Sequence, residues 1–209
     1  MINRIRVTLS LAAIVGFLYN CTQHISGVET TNGNGYTVTA TSTTVEGAAP
    51  PLSQVFLFDT DYIPYIDSGI GIATTADRNG NYRFTARPGI YNVLVVAPDA
   101  GFAGISSETV SPDATAATST RSHTMERPGS ISGSVMEATD TPLLIYLAGM
   151  CHYELISTRR DFHFITVPPG TYRLRLARLS DTGTIIVLHD RTITVKPAQA
   201  VQTGEIRIP

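Results

Sequence analysis

Asp161-Phe162-His163-Phe164-Ile165-Thr166-Val167-Pro168-Pro169-Gly170-Thr171-Tyr172-Arg173-Leu174 carries the pattern that decides the fold. An aromatic-x-aromatic run alternates, stops at proline, passes Pro-Gly-x-Tyr and resumes alternating. About 80 residues earlier stands a related stretch, Asn81-Tyr82-Arg83-Phe84-Thr85-Ala86-Arg87-Pro88-Gly89-Ile90-Tyr91-Asn92-Val93, one residue shorter in the turn. Proline fixes φ and removes a donor where a strand must end, and glycine tolerates the φ values of the turn. The tyrosine then opens the next strand with its ring predicted inward and its hydroxyl placed to bond backbone near the corner. A repeat of this length is too long for a solenoid and fits a duplicated domain.

Strand signals surround both copies. Gln54-Val55-Phe56-Leu57-Phe58 is a compact apolar run, whereas Tyr36–Ala40, Tyr82–Phe84 and Tyr91–Val95 alternate with period two. Short runs of this kind between turn residues mark antiparallel strands, and no 3.6-residue apolar period persists. Asp113–Ser119 reads as a loop or a short helix. The expected architecture is all-β: two tandem Ig-like or transthyretin-like sandwiches of about seven strands each, Greek-key connected, over residues 36–127 and 128–209.

The first twenty-one residues differ from the rest. Arg4 and Arg6 precede an apolar stretch, Val7–Tyr19, which suits the core of a signal peptide better than a membrane span. Leu18 and Cys21 match the spacing of a lipoprotein signal, although Tyr19 and Asn20 are larger than that signal favours. Cys21 is the expected lipidation site, with plain cleavage or an uncleaved anchor as alternatives. The polar, Gly-rich residues 22–35 read as a flexible tether. Cys151, the other cysteine, is then a small buried residue, or else half of a Cys21–Cys151 bridge.

The 209 residues carry a formal charge of only −2, which argues against a nucleic-acid partner. None of the five histidines sits in a zinc-binding spacing; His152, Glu154 and His163 form the nearest cluster, the basis for a metal-assisted hydrolase reading. Asp59-Thr60-Asp61 and Asp77–Asn81 hold acidic groups but lack the later bidentate acid of a calcium loop. No Gly-x-Ser-x-Gly is present, so no catalytic residue, metal or cofactor is assigned. Tyr62 and Tyr65, flanking Pro64 in a loop, are the candidate ligand contacts, with a cap of core side chains on the sandwich end as the alternative.

Gly129-Ser130-Ile131-Ser132-Gly133-Ser134-Val135, followed by Phe164-x-x-Val-Pro-Pro-Gly-Thr-Tyr172, resembles the bacterial carboxypeptidase regulatory-like domains, which belong with transthyretin-like and collagen-adhesin B-type sandwiches. The first half is similar through Asp77-Arg78-Asn79-Gly80-Asn81-Tyr82, whereas Thr158–Asp161 departs from that hairpin. The resemblance implies an accessory, adhesive or structural part of the envelope; with the signal segment and tether, the expectation is a non-enzymatic, membrane-anchored envelope or cell-surface protein, with envelope proteins or polysaccharides as partners and no nucleic acid. The alternative is a carbohydrate-binding protein using the loop tyrosines.

Overall fold

The computed structural model describes residues 43–67, 72–111, 123–136, 142–157, 160–180 and 184–208. The expectations for the signal segment, Cys21, the tether, Tyr36–Ala40 and Asp113–Ser119 lie outside these residues. Regular structure among the described residues is all strand. The first half holds β1 (Thr43–Ala48), β2 (Gln54–Asp59), β3 (Ile72–Thr75), β4 (Asn81–Ala86), β5 (Gly89–Val96) and β6 (Ala103–Val110). The second holds β7 (Gly129–Val135), β8 (Leu143–Leu147), β9 (Tyr153–Ile156), β10 (Asp161–Val167), β11 (Gly170–Leu179), β12 (Ile185–Val195) and β13 (Ala200–Ile206).

Each half pairs a small sheet with a four-stranded one. In the first half, β1-β4 faces β3-β2-β5-β6; in the second, β10-β7-β13 faces β12-β11-β8-β9. All pairings are antiparallel except β13 with β7. Alternation selects the inward residues: β4 buries Tyr82, Phe84 and Ala86, and these meet Val55, Leu57, Tyr91, Val93 and Val95 of the opposite sheet.

Both tyrosine corners form as the sequence predicts. Tyr91 donates its hydroxyl to the Arg87 carbonyl at 2.9 Å and Tyr172 to that of Pro168 at 2.5 Å, with both rings buried. The extra residue of the second copy, however, sits in the strand rather than the turn. Phe164 pairs with Ile131 and Val167 with Gly129, so three steps on β10 oppose two on β7. This β-bulge holds Thr166 at φ +58°, and β4 runs against β1 without one. A further repeated feature is a strand glycine opposite the first aromatic: Gly47 faces Tyr82, and Gly133 faces Phe162. A Cβ on either glycine would collide with a neighbouring side chain, Tyr82 or Thr203 respectively.

The halves share a core. All four of Val55, Phe56, Leu57 and Phe58 are buried, and consecutive residues of a strand face opposite sides. Val55 and Leu57 therefore fill the first sandwich, while Phe56 and Phe58, with Leu94, Val96 and Ala103, belong to the core of the second half. The β3-β2-β5-β6 sheet is thus covered on both faces, which explains why β2 reads as a continuous apolar run. Cys151 is buried in that shared core, as expected.

Candidate functional site

The loop after β2 is built by its own carboxylates. Asp59 Oδ1 accepts the Asp61 N–H at 3.0 Å, and Asp67 Oδ2 accepts that of Ile63 at 2.7 Å. This geometry drives Tyr62 into the molecule: its residue is 4% exposed, and its ring lies 5.1 Å from that of Phe58. Its carbonyl accepts the Gly149 N–H at 2.9 Å. Burial, followed by the nearby Asp67 and Tyr153, pushes its hydroxyl up to about 12. Tyr62 is therefore a packing residue, and its ring offers no face to a ligand. The continuous run Val55–Phe58 was the signal for this, because a doubly buried strand needs a cover. Tyr65 does reach solvent, at 41% exposure, with φ +77° and its ring 6.0 Å from Tyr153. Ile63, between the two, packs on Leu144, Tyr146 and Ala177 of the second half.

Next to this loop the halves enclose a cleft of about 380 Å³. Its walls include Thr60, Asp61 and Asn92 from the first half and Thr171, Arg173 and Arg175 from the second. Asn92 Nδ2 donates to the Gly149 carbonyl at 3.0 Å. Gly149 has φ +71°, and a Cβ there would lie 2.5 Å from Asn92 Nδ2 and 2.9 Å from the Thr60 carbonyl oxygen, so the close approach requires glycine. On β11 the alternation that sends Tyr172, Leu174 and Leu176 inward turns Arg173 and Arg175 outward. Asp190 of β12 organises both: Arg173 Nε donates to Oδ1 at 2.8 Å, its terminal nitrogen donates to Oδ2, and Arg175 Nε donates to Oδ2 at 3.1 Å. Hydrogen bonding from Arg173, then from Arg175, holds the Asp190 carboxyl below its usual range. Sequence reading missed this site, since its parts are remote in the chain and match no motif.

The remaining candidates are spent on structure. His152 is buried, with Nε2 3.1 Å from the Ile165 carbonyl and its ring edge-on to Phe164. His163 faces solvent, as its position between two inward phenylalanines predicts, and its backbone N–H is bound by Glu154 Oε1 at 2.8 Å. The two imidazoles therefore point to opposite sides of β10 and do not converge on a metal. Asp77 Oδ1 accepts N–H bonds from Asn79 and Asn81, both at 2.8 Å, and Gly80 takes φ +85°. That is a tight turn carrying the chain from β3 in one sheet to β4 in the other, so it is not the hairpin the sequence suggests, and the backbone donors hold the Asp77 carboxyl below its usual range. A cluster not foreseen joins Tyr82 to His123 Nε2 at 2.6 Å and Ser106 to His123 Nδ1 at 3.2 Å. Burial, then Glu108, pushes the Tyr82 phenol up to about 12, so a neutral phenol stands where a nucleophilic relay needs an orienting carboxylate.

No protein-family model matches the chain, and no curated protein matches it. Among solved structures it is similar to a streptococcal ancillary pilin, at 18% identity and a TM-score of 0.30, over 80% of this chain and 63% of that one. It is similar to the Bacillus anthracis TIE protein at 10% identity and a TM-score of 0.31, over 80% of this chain and 34% of that one. The shaft pilin SpaA of Lactobacillus rhamnosus GG gives 10% identity and a TM-score of 0.30, over 78% and 97%. The chain spans less than two thirds of the length of the first two.

Proposed function

We propose that this chain is a non-enzymatic structural or interaction protein of the bacterial envelope, held at a membrane through its N-terminal segment. The observation that carries the reading is the shared core. Phe56, Phe58 and Tyr62 of the first half pack with residues such as Met150 and Tyr172 of the second. Two sandwiches fused in this way keep a fixed mutual orientation, which suits a spacer or a docking platform. The sequence supplies the attachment: Arg4, Arg6, the apolar Val7–Tyr19, Cys21 and the polar residues 22–35. Burial of Tyr62 removes half of the aromatic pair on which a tyrosine-based carbohydrate site would depend.

Expression of the full chain in a bacterial host tests the proposal. Cys21→Ala, or globomycin, is expected to shift the processed product and release it from the membrane fraction. An unchanged, full-length cytosolic product would overturn it.

A further inference from the structure

We propose that the cleft between the halves binds a carboxylate-bearing sugar unit of an acidic saccharide. The cleft's walls are predominantly polar and come from strands, and the loop after β2, held together by the shared core, so the site is preformed rather than assembled by the ligand. Its volume of about 380 Å³ falls in the range of small-ligand pockets.

The donor set names the chemistry. A guanidinium carries five N–H donors in a planar fork. Asp190 takes one edge of Arg173 and the Nε of Arg175, which fixes both planes and leaves further donors of each group for a second acceptor. Two guanidinium groups against one carboxylate leave a positive charge on this wall, suited to a ligand carboxylate. The opposite wall differs in kind. Thr60 and Asp61 of the loop and Asn92 of β5 offer hydroxyl, carboxylate and amide groups, which pair with ligand hydroxyls as donors and as acceptors. A group with one anionic edge and several hydroxyls on the other matches both walls, and a uronate ring has that form. A short acidic peptide would satisfy the arginines but leave the Thr60–Asp61 side with no hydroxyls to bind. The inference does not depend on membrane attachment, because it concerns the folded part alone and is tested on purified protein.

The test is calorimetric titration of the purified chain with oligogalacturonate, with a neutral cello-oligosaccharide and with a triglutamate peptide. Saturable binding of oligogalacturonate is expected, weakening as salt rises because the contact is charge-assisted. Arg173→Gln and Arg175→Gln should each lower affinity about tenfold or more, the usual consequence of removing a hydrogen bond to a charged group. Arg207→Gln, remote in the C-terminal segment and paired with Glu205, is the control and should leave affinity unchanged. Thermal melts confirm folding of each variant, and Thr171→Val supplies a neutral cleft substitution should Arg175→Gln fail to fold. The proposal is overturned by absence of saturable oligogalacturonate binding, by equal binding of the neutral oligosaccharide, by preference for the peptide, or by cleft variants that bind like the parent protein.

Discussion

Replacing Tyr62 by alanine tests the fused core directly. The side chain is almost wholly removed from solvent, between Phe58 and the second half, while its backbone carbonyl holds Gly149. Truncating a buried aromatic costs about 3–5 kcal/mol, since transfer free energy is lost and a cavity remains. For a chain of this size each kcal/mol lowers the melting midpoint by about 2–4 °C, so a fall of about 6–20 °C is expected. The informative readout is which parts lose protection. If the core is continuous, calorimetry gives one cooperative transition, and amides of β5 and β11 lose exchange protection together in Tyr62→Ala. Tyr65→Ala, at a site with solvent access, should move the midpoint far less. Two separate transitions in the parent protein, or a second half whose protection is untouched by Tyr62→Ala, would refute the shared core and the rigid arrangement built on it.

Three further outcomes follow from the geometry. Burial depresses His152 to about 4 from the ordinary 6.5. The neutral ring is therefore favoured by the fold: its contribution is complete above pH 6.5 and is lost as pH falls towards 4, by about 3 kcal/mol in all. Urea denaturation at stepped pH should show that slope, and His152→Leu should flatten it. Tyr172→Phe removes the hydroxyl bond to Pro168 and should cost about 1–2 kcal/mol in chemical denaturation, more than Tyr91→Phe, whose bond is longer and less buried. Thr166 holds a β-branched side chain at φ +58°, so Thr166→Gly should raise stability by about 0.5–1 kcal/mol; a loss would show that the bulge depends on the threonine.

What the sequence revealed was local. Pro-Gly-x-Tyr and the aromatic-x-aromatic runs state their strand, turn and burial within a dozen residues, and both corners form accordingly. The extra residue of the second copy was visible as a count, but spacing alone cannot place it, and it lies in the β10 bulge instead of the turn. Tyr62 shows the same limit. A tyrosine beside proline between strands looks like an exposed loop residue until the second apolar face of β2 is recognised as needing cover. Arg175 and Asp190 meet through the pairing of β11 with β12, and only the packing of the halves sets them beside Asn92 and Gly149.

The repeat also explains why the halves can do different things. Counting from the corner tyrosines, the inward positions are equivalent: Tyr91, Val93 and Val95 in one copy, Tyr172, Leu174 and Leu176 in the other. The outward positions are not. They read Asn92, Leu94 and Val96 on β5 but Arg173, Arg175 and Ala177 on β11. A strand's two faces are chemically independent because successive residues point oppositely, so the inward set can preserve a sandwich while the outward set changes. On β5 that face is mainly apolar and is consumed in joining the halves, with Asn92 at its end bonded across the junction. On β11 it is charged and lines the cleft that the joining creates. Exchanging the sets should therefore separate the roles: Leu94→Arg would uncouple the halves, whereas Arg173→Leu would spare the fold and cost only what the cleft binds.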